Sequence, residues 1–269
     1  MGREIAILTD FGTGDNYNGV MTGIIRKINR EATITYISSE SKPFNIYAGA
    51  YLLYTSFQSF RKGTIFLVVI DPGVGTNRRA LLVRTRHYYF VGPDNGVLYP
   101  SIQKDGLLAA YELTNPHIHL GPQISSTFHG RDVFAPAAAF KSLGVPDSSL
   151  GSPVDPFSLL RLEFTEEQRG DLRCGVVLFV DHFGNVATSI THLPELGDPI
   201  ISINGVQHKA KKVRTFGEGL PGELIIYKNS YDFVELGINK GNANKVIDTR
   251  EGESICLGGY TQGDFSRST

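Results

Sequence analysis

The sequence predicts an α/β N-terminal domain with a mainly parallel central sheet, followed by a smaller, mostly antiparallel, barrel-like β domain. Three observations carry that expectation. Apolar strand-like runs alternate with helix-period segments in the first 70 or so residues. Short strands with turn punctuation fill the chain from Gly170 onward. Between the two lies a Pro-, Ser- and Gly-rich connector, GVPDSSLGSPVDPFSLL, with no sustained period. The expected domains are therefore residues 1–160 and 161–269.

The elements follow in order. Ile5 to Leu8 is a short apolar run that delivers the polar loop Thr9-Asp10-Phe11-Gly12, as a buried strand would. Tyr17, Val20, Met21, Ile24, Ile25 and Ile28 recur at helical spacing, so an amphipathic helix should run to about Arg30. Thr33 to Ile37 reads as a second strand. Ile46, Ala50, Leu53, Tyr54 and Phe57 trace a second helix face, which Gly63 ends. Thr64 to Ile70 is unbroken apolar sequence, the pattern of a strand covered on both faces. Ala80 to Thr85 and Tyr88 to Val91 look like a hairpin. A helix opened by Arg131-Asp132 should reach about Leu143. In the second domain the strands are expected at Gly175 to Val180, Ile200 to Ile203, Glu223 to Tyr227, Phe233 to Leu236 and Ser254 to Leu257.

Bulk properties exclude several classes of function. Of 269 residues, 41% are hydrophobic and 20% charged, and Lys plus Arg (26) nearly balances Asp plus Glu (27). No net field attracts a polyanion or an anionic membrane, so neither nucleic acid nor membrane is an expected partner. No apolar run approaches the roughly 20 residues that span a bilayer. The start, MGREIAILTDFG, lacks a long apolar leader region, and the expected address is the cytoplasm. Two cysteines, Cys174 and Cys256, lie far apart with no CxxC, and the expectation is two reduced core thiols.

Polar residues cluster after the apolar strands in four segments: TDFGTGD from Thr9, DPGVGTNR from Asp71, GPDNG from Gly92 and STFHGRD from Ser126. Ligand crevices of open α/β sheets lie at the carboxyl ends of the strands, which makes these loops candidate site walls. Asp and Gly also form turns and helix caps, so position alone does not establish a site. Gly73-Val74-Gly75 lacks the third glycine of a dinucleotide fingerprint, and no GK[ST] follows any glycine run. Asp10, Asp15, Asp71, Asp94, His129 and Asp132 are suitable metal-ligand types, yet there is no HExxH, and no metal is expected.

At these loops the chain resembles the S-adenosyl-L-methionine hydroxide adenosyltransferase family, which is related to fluorinating and chlorinating enzymes that attack the same molecule. The matching text is LTDFGTGDNYNGVMTGI, DPGVGTNRRALLV, VGPDNGVL, STFHGRDVFAPAAA and VDHFGNVATSI, in order and over nearly the whole chain. The resemblance implies hydrolysis of S-adenosyl-L-methionine to adenosine and L-methionine, with that molecule as substrate and no separate cofactor. It also implies a homotrimer with sites between neighbouring subunits. Carried over residue by residue, it makes Asp71, Arg78 and His129 the set that positions and activates water. Asp10 becomes the carboxylate that grips the ribose hydroxyls. Asp181 and Asn185 become polar contacts to methionine and adenine, Phe183 a stacking partner for adenine, and Ser230 the holder of the methionine carboxylate. Asp15 and Phe216 are secondary candidates. The halogenating relatives carry Tyr and Thr where this chain has Asp71 and Val74, and a long insertion where it passes directly from Leu82 to Tyr89, so the resemblance points to hydroxide chemistry.

The chemistry suits those residue types. A sulfonium leaves as a neutral thioether without a general acid, whereas water, with a pKa of about 15.7, must be oriented and its charge stabilised. His129 can be a base or a hydrogen-bond partner, Arg78 a fixed cation, and Asp71 the group that orients either. Each also has a plainer reading: Asp71 as a turn former, Arg78 as a surface cation with Arg79 the true member, His129 as a helix cap. Two other functions compete, a non-catalytic sensor of adenosine or S-adenosyl-L-methionine and a metal-dependent phosphohydrolase built on the aspartates.

Overall fold

The structure, a computed structural model, describes residues 4–121, 123–194 and 197–258. The chain divides into two compact units, Met1–Glu163 and Phe164–Thr269.

The first unit holds a seven-stranded sheet of β1 (Ile5–Thr9), β2 (Ile34–Ser38), β3 (Ile65–Val69), β4 (Ala80–Thr85), β5 (Tyr89–Pro93), β6 (Leu107–Glu112) and β7 (Ser152–Val154), in the order β2-β1-β3-β5-β4-β6-β7. β2, β1, β3 and β5 are mutually parallel. β4, β6 and β7 extend that sheet by antiparallel pairing. The sheet is therefore mixed: its β2-β1-β3-β5 portion bears out the expected parallel sheet, and β4, β6 and β7 depart from it. The cause is local: three residues join β4 to β5, a connection too short for a parallel crossover. β6 and the helix before it, Tyr99–Asp105, gave no clear period in the sequence.

Every residue of β1 and β3 is buried, because both faces of the sheet are covered. Side chains alternate between the two faces. Ile5, Ile7, Ile65, Leu67 and Val69 share one core with Met21 and Ile25 of α1 (Tyr17–Ile28) and with the alanines that follow Phe134. Phe66 points the other way, stacked on Phe90 at 5.1 Å and edge-on to Phe57, which follows α2 (Ile46–Ser56). The side chain of Asn45 caps α2 by accepting from the Ala48 amide at 3.0 Å. Burying each of these large side chains is worth about 1.5–3 kcal/mol.

The second unit is a nearly closed, barrel-like sheet of nine strands: β8 (Glu166–Arg169), β9 (Leu172–Val180), β10 (Val186–Thr188), β11 (Ile200–Ile203), β12 (Val206–Lys209), β13 (Lys211–Lys212), β14 (Leu224–Lys228), β15 (Val234–Ile238) and β16 (Ser254–Gly258). All pairings are antiparallel except β13 with β14. Val177, Val186, Ile201, Ile226, Val234, Leu236 and Ile255 fill its interior. β8 and β12 escaped the sequence because EEQR and VQHK carry no apolar alternation.

Cys174 and Cys256 form a disulfide, which corrects the expectation of two reduced thiols. They stand directly opposite each other on β9 and β16, with Cα atoms 4.0 Å apart. Their separation of 82 residues concealed that the two strands are neighbours. Among the described residues no helix is long and apolar enough to cross a membrane.

Candidate active site

Asp10 and Asp71 follow β1 and β3, parallel neighbours whose carboxyl ends share one edge of the sheet. The Asp10 loop is tied to the first turn of α1 by Asn18, whose amide donates to the Gly12 carbonyl at 2.8 Å and accepts from the Thr9 hydroxyl at 2.9 Å. Gly12 turns the chain at φ +74°. One oxygen of Asp10 accepts the Phe44 amide at 2.7 Å, and Phe44 itself sits at φ +61° and is 74% exposed. A bulky residue in that left-handed region is strained, and such positions concentrate at ligand sites. Burial raises the Asp10 carboxyl above its ordinary pKa and the charge of Asp71 adds to the rise, against hydrogen bonds from the Phe44 and Asp10 amides.

After β3 the chain makes successive tight turns, Val74 amide to Asp71 carbonyl and Thr76 amide to Gly73 carbonyl. These bring Arg78 back beside Asp71. The guanidinium grips the carboxylate with Nε at 2.9 Å from Oδ1 and Nη2 at 2.5 Å from Oδ2, both side chains being more than nine-tenths buried. Phe134 lies beneath the guanidinium at 5.1 Å. The same Nη2 lies 2.7 Å from Nδ1 of His129. A guanidinium can only donate, so Nδ1 is the acceptor and a neutral His129 carries its proton on Nε2. Arg79 is committed elsewhere, to Asp94 and to the carbonyl and hydroxyl of Ser158.

His129 precedes a π-helical turn, Gly130–Phe134, that runs into the helix Ala135–Ser142, a single continuous helix having been expected. Asp132, buried in that turn, holds the preceding loop through the Ser125 amide at 2.8 Å and binds Arg131 at 2.6 Å. Burial lowers the His129 pKa and the charge of Arg78 lowers it further, Asp71 and Asp132 opposing both. The imidazole is therefore neutral at pH 7. Gly75, at φ +78°, is where the two catalytic-candidate loops touch, since a Cβ there would collide with the Ser126 carbonyl oxygen. Gly75→Ala is expected to cost about 1–3 kcal/mol and to displace Arg78 from His129; a thermal melt together with an activity assay checks both.

Asp10, Asp71 and His129 open onto a cavity of about 320 Å³ whose wall also includes Val74 and the rings of Phe11, Tyr17, Phe44 and Phe128. The sequence did not single out those rings: Tyr17 counted as part of a helix face, and Phe44 precedes its helix with no period to mark it. Asp15 is exposed on the same loop as Asp10. Among the described residues no group of three or more His, Cys, Asp or Glu is placed to hold a metal ion.

In the second unit Asp181, Phe183 and Asn185 share the turn between β9 and β10. One Asp181 oxygen accepts the Phe183 and Asn185 amides at 2.9 and 2.8 Å, and the other accepts the Asn185 side-chain amide at 2.9 Å. Asp181 thus shapes the turn that presents Asn185, which is buried, and Phe183, which is 70% exposed. Ser230 is exposed in the turn from β14 to β15. Phe216 lies 4.8 Å from Tyr227, against Gly237, which also faces the side-chain Oδ1 of Asn185.

Comparison with known proteins gives a consistent result. The sequence profile of the SAM hydroxide adenosyltransferase N-terminal domain matches residues 5–151, and that of the C-terminal domain matches residues 175–256. A (R)-S-adenosyl-L-methionine hydrolase of Salinispora tropica is 34% identical, over 93% of this chain and 96% of its own. One from Thermus thermophilus is 33% identical, over 95% and 99%. A crystal structure of an uncharacterized conserved protein from Thermotoga maritima superposes with a TM-score of 0.86 at 34% identity, covering 94% of this chain and 99% of that one.

Proposed function

The chain belongs to the SAM hydroxide adenosyltransferase family, and from that premise we propose that it hydrolyses S-adenosyl-L-methionine to adenosine and L-methionine by attack of water or hydroxide at C5′. The observation that carries this reading is the Asp71–Arg78–His129 chain, whose two ends, Asp71 and His129, line the cavity. Attack at C5′ forms the carbon–oxygen bond as the carbon–sulfur bond breaks; the bonding pair leaves on sulfur, which becomes a neutral thioether, and the proton that an attacking water gives up passes to solvent, while hydroxide brings none to remove. The demand falls on the nucleophile. Nε2–H of His129 donates to the water oxygen, and Arg78, held by Asp71, supplies the fixed positive charge that favours hydroxide. With Nδ1 occupied by Arg78, a neutral His129 presents Nε2–H, which supports the hydrogen-bond-donor role over that of a base.

Asp10 is assigned to the ribose hydroxyls, a role that its place on the cavity wall supports. In the second unit Asn185 and Phe183 are assigned to adenine, Ser230 and Asp181 to methionine. Their grouping in loops, with Phe183 and Ser230 exposed, supports that assignment. The assembly is a homotrimer with sites between neighbouring subunits, as the family resemblance implies, and light scattering on the purified protein measures it. A cytoplasmic address belongs to the same proposal; the Cys174–Cys256 bond pulls the other way, since such bonds persist mainly in oxidising compartments. Chromatography of the purified protein with S-adenosyl-L-methionine and no added metal tests the reading. Adenosine and methionine are expected in equal amounts, and intact substrate after long incubation with concentrated protein would overturn it.

A further inference from the structure

The cavity that holds the water-activating chain has a second property. Its carboxylates, Asp10 and Asp71, are accompanied by four aromatic rings, and among the described residues no Lys or Arg lines it; Arg78 pairs with Asp71 behind the wall, and the Arg131 guanidinium lies 5.5 Å from the centre of the Phe128 ring. Three of the rings form a closed set. Phe11 lies 5.3 Å from Tyr17 and 6.0 Å from Phe128, and Tyr17 lies 5.1 Å from Phe128, edge to face. Three different parts of the chain bring them together: the loop after β1, the first residue of α1, and the residue before His129. Such a convergence is more than a helix face requires, since Tyr17 remains 43% exposed rather than buried in the core. Aromatic faces attract cations through the ring quadrupole, and recognition of onium groups by several rings is a recurrent use of that attraction.

We propose that Phe11, Tyr17 and Phe128 form a cage that recognises the positive charge of the substrate's sulfonium and so discriminates it from neutral thioethers of the same shape. The proposal rests on the hydrolase reading and adds to it the basis of selectivity. Its consequence for turnover follows from charge: once the carbon–sulfur bond breaks, sulfur is neutral and the cage loses its hold. Substrate is then favoured over methionine and over S-adenosyl-L-homocysteine, the thioether that lacks only the methyl group and the charge.

Two inhibitors that resemble the substrate but are not cleaved isolate the charge. Sinefungin carries an amine-bearing carbon in place of the sulfonium and is cationic there; S-adenosyl-L-homocysteine is neutral at the same place. Calorimetry on the native enzyme should give tighter binding of sinefungin by about tenfold. In Tyr17→Leu and in Phe128→Leu that preference should shrink to within about threefold, mainly through weaker sinefungin binding, whereas Tyr17→Phe, which keeps the ring, should preserve the ratio. Using two separate leucine variants guards against one that fails to fold. A native enzyme that hydrolyses S-adenosyl-L-methionine yet binds both inhibitors equally would overturn the cage. So would leucine variants that weaken both inhibitors alike. A native enzyme that neither turns over the substrate nor binds any of the three ligands would instead overturn the hydrolase reading, and the cage with it.

Discussion

Arg78→Ala is expected to lower kcat by roughly a thousandfold, the size of effect seen when a fixed donor facing developing negative charge is removed. Two consequences of one deletion combine. The hydroxide loses the cation that stabilises it, and His129 loses the donor that fixes its tautomer. Asp71 is left as a buried carboxylate without a counter-ion, which costs about 3–5 kcal/mol of stability. Arg78→Lys keeps the charge but cannot present Nε and Nη2 to Asp71 while reaching Nδ1 of His129. Its kcat should therefore fall between those of the native enzyme and the alanine variant. Steady-state kinetics at saturating substrate, together with urea unfolding, separates the catalytic loss from the structural one. An alanine variant with kcat within tenfold of native would remove Arg78 from the chemistry.

The second large effect concerns the role of His129. As an Nε2–H donor it can be replaced in part by glutamine, whose amide N–H reaches a similar position but cannot take up a proton at neutral pH. His129→Ala should then lose about a hundredfold or more in kcat and His129→Gln about tenfold. Equal losses in both would mean that the imidazole acts as a base. The pH profile gives an independent reading. Protonating His129 puts a hydrogen on Nδ1, where Arg78 already directs one, and breaks the contact. Burial and the neighbouring guanidinium depress the folded-state pKa, so activity should persist through the ordinary imidazole range and fall only at more acid pH. The same depression links to stability. The unfolded chain binds the proton more readily, so this contribution is complete above the ordinary imidazole pKa and is lost as pH falls towards the depressed folded value. In His129→Gln the acid limb due to this group should be absent.

Much of this architecture was legible because the signal is local. The buried strands β1 and β3 read as unbroken apolar runs, and the loops they deliver carry Asp10 and Asp71 in plain view. What stayed hidden is non-local. The sequence could not show that Arg79 is committed to Asp94 and Ser158, leaving Arg78 to meet Asp71, since both choices fit the spacing equally well. The acceptor state of His129 Nδ1 depends on a contact 51 residues away in sequence. The cross-strand partnership of Cys174 and Cys256 depends on which strands of the second unit are neighbours. The aromatic wall was concealed differently: Tyr17 and Phe128 look like core residues until the cavity that both line is seen. The antiparallel half of the first sheet went unread because β6 alternates poorly, although the β4–β5 hairpin that begins it was visible.

The central claim is that oxygen from water becomes bonded to C5′ as the carbon–sulfur bond breaks. Single-turnover hydrolysis of S-adenosyl-L-methionine in oxygen-18 water, followed by mass spectrometry of both products, tests it most directly. One heavy oxygen in adenosine, located at the 5′-hydroxyl, and none in methionine is the expected result. Heavy oxygen in the methionine fragment, or adenosine formed without label, would contradict it.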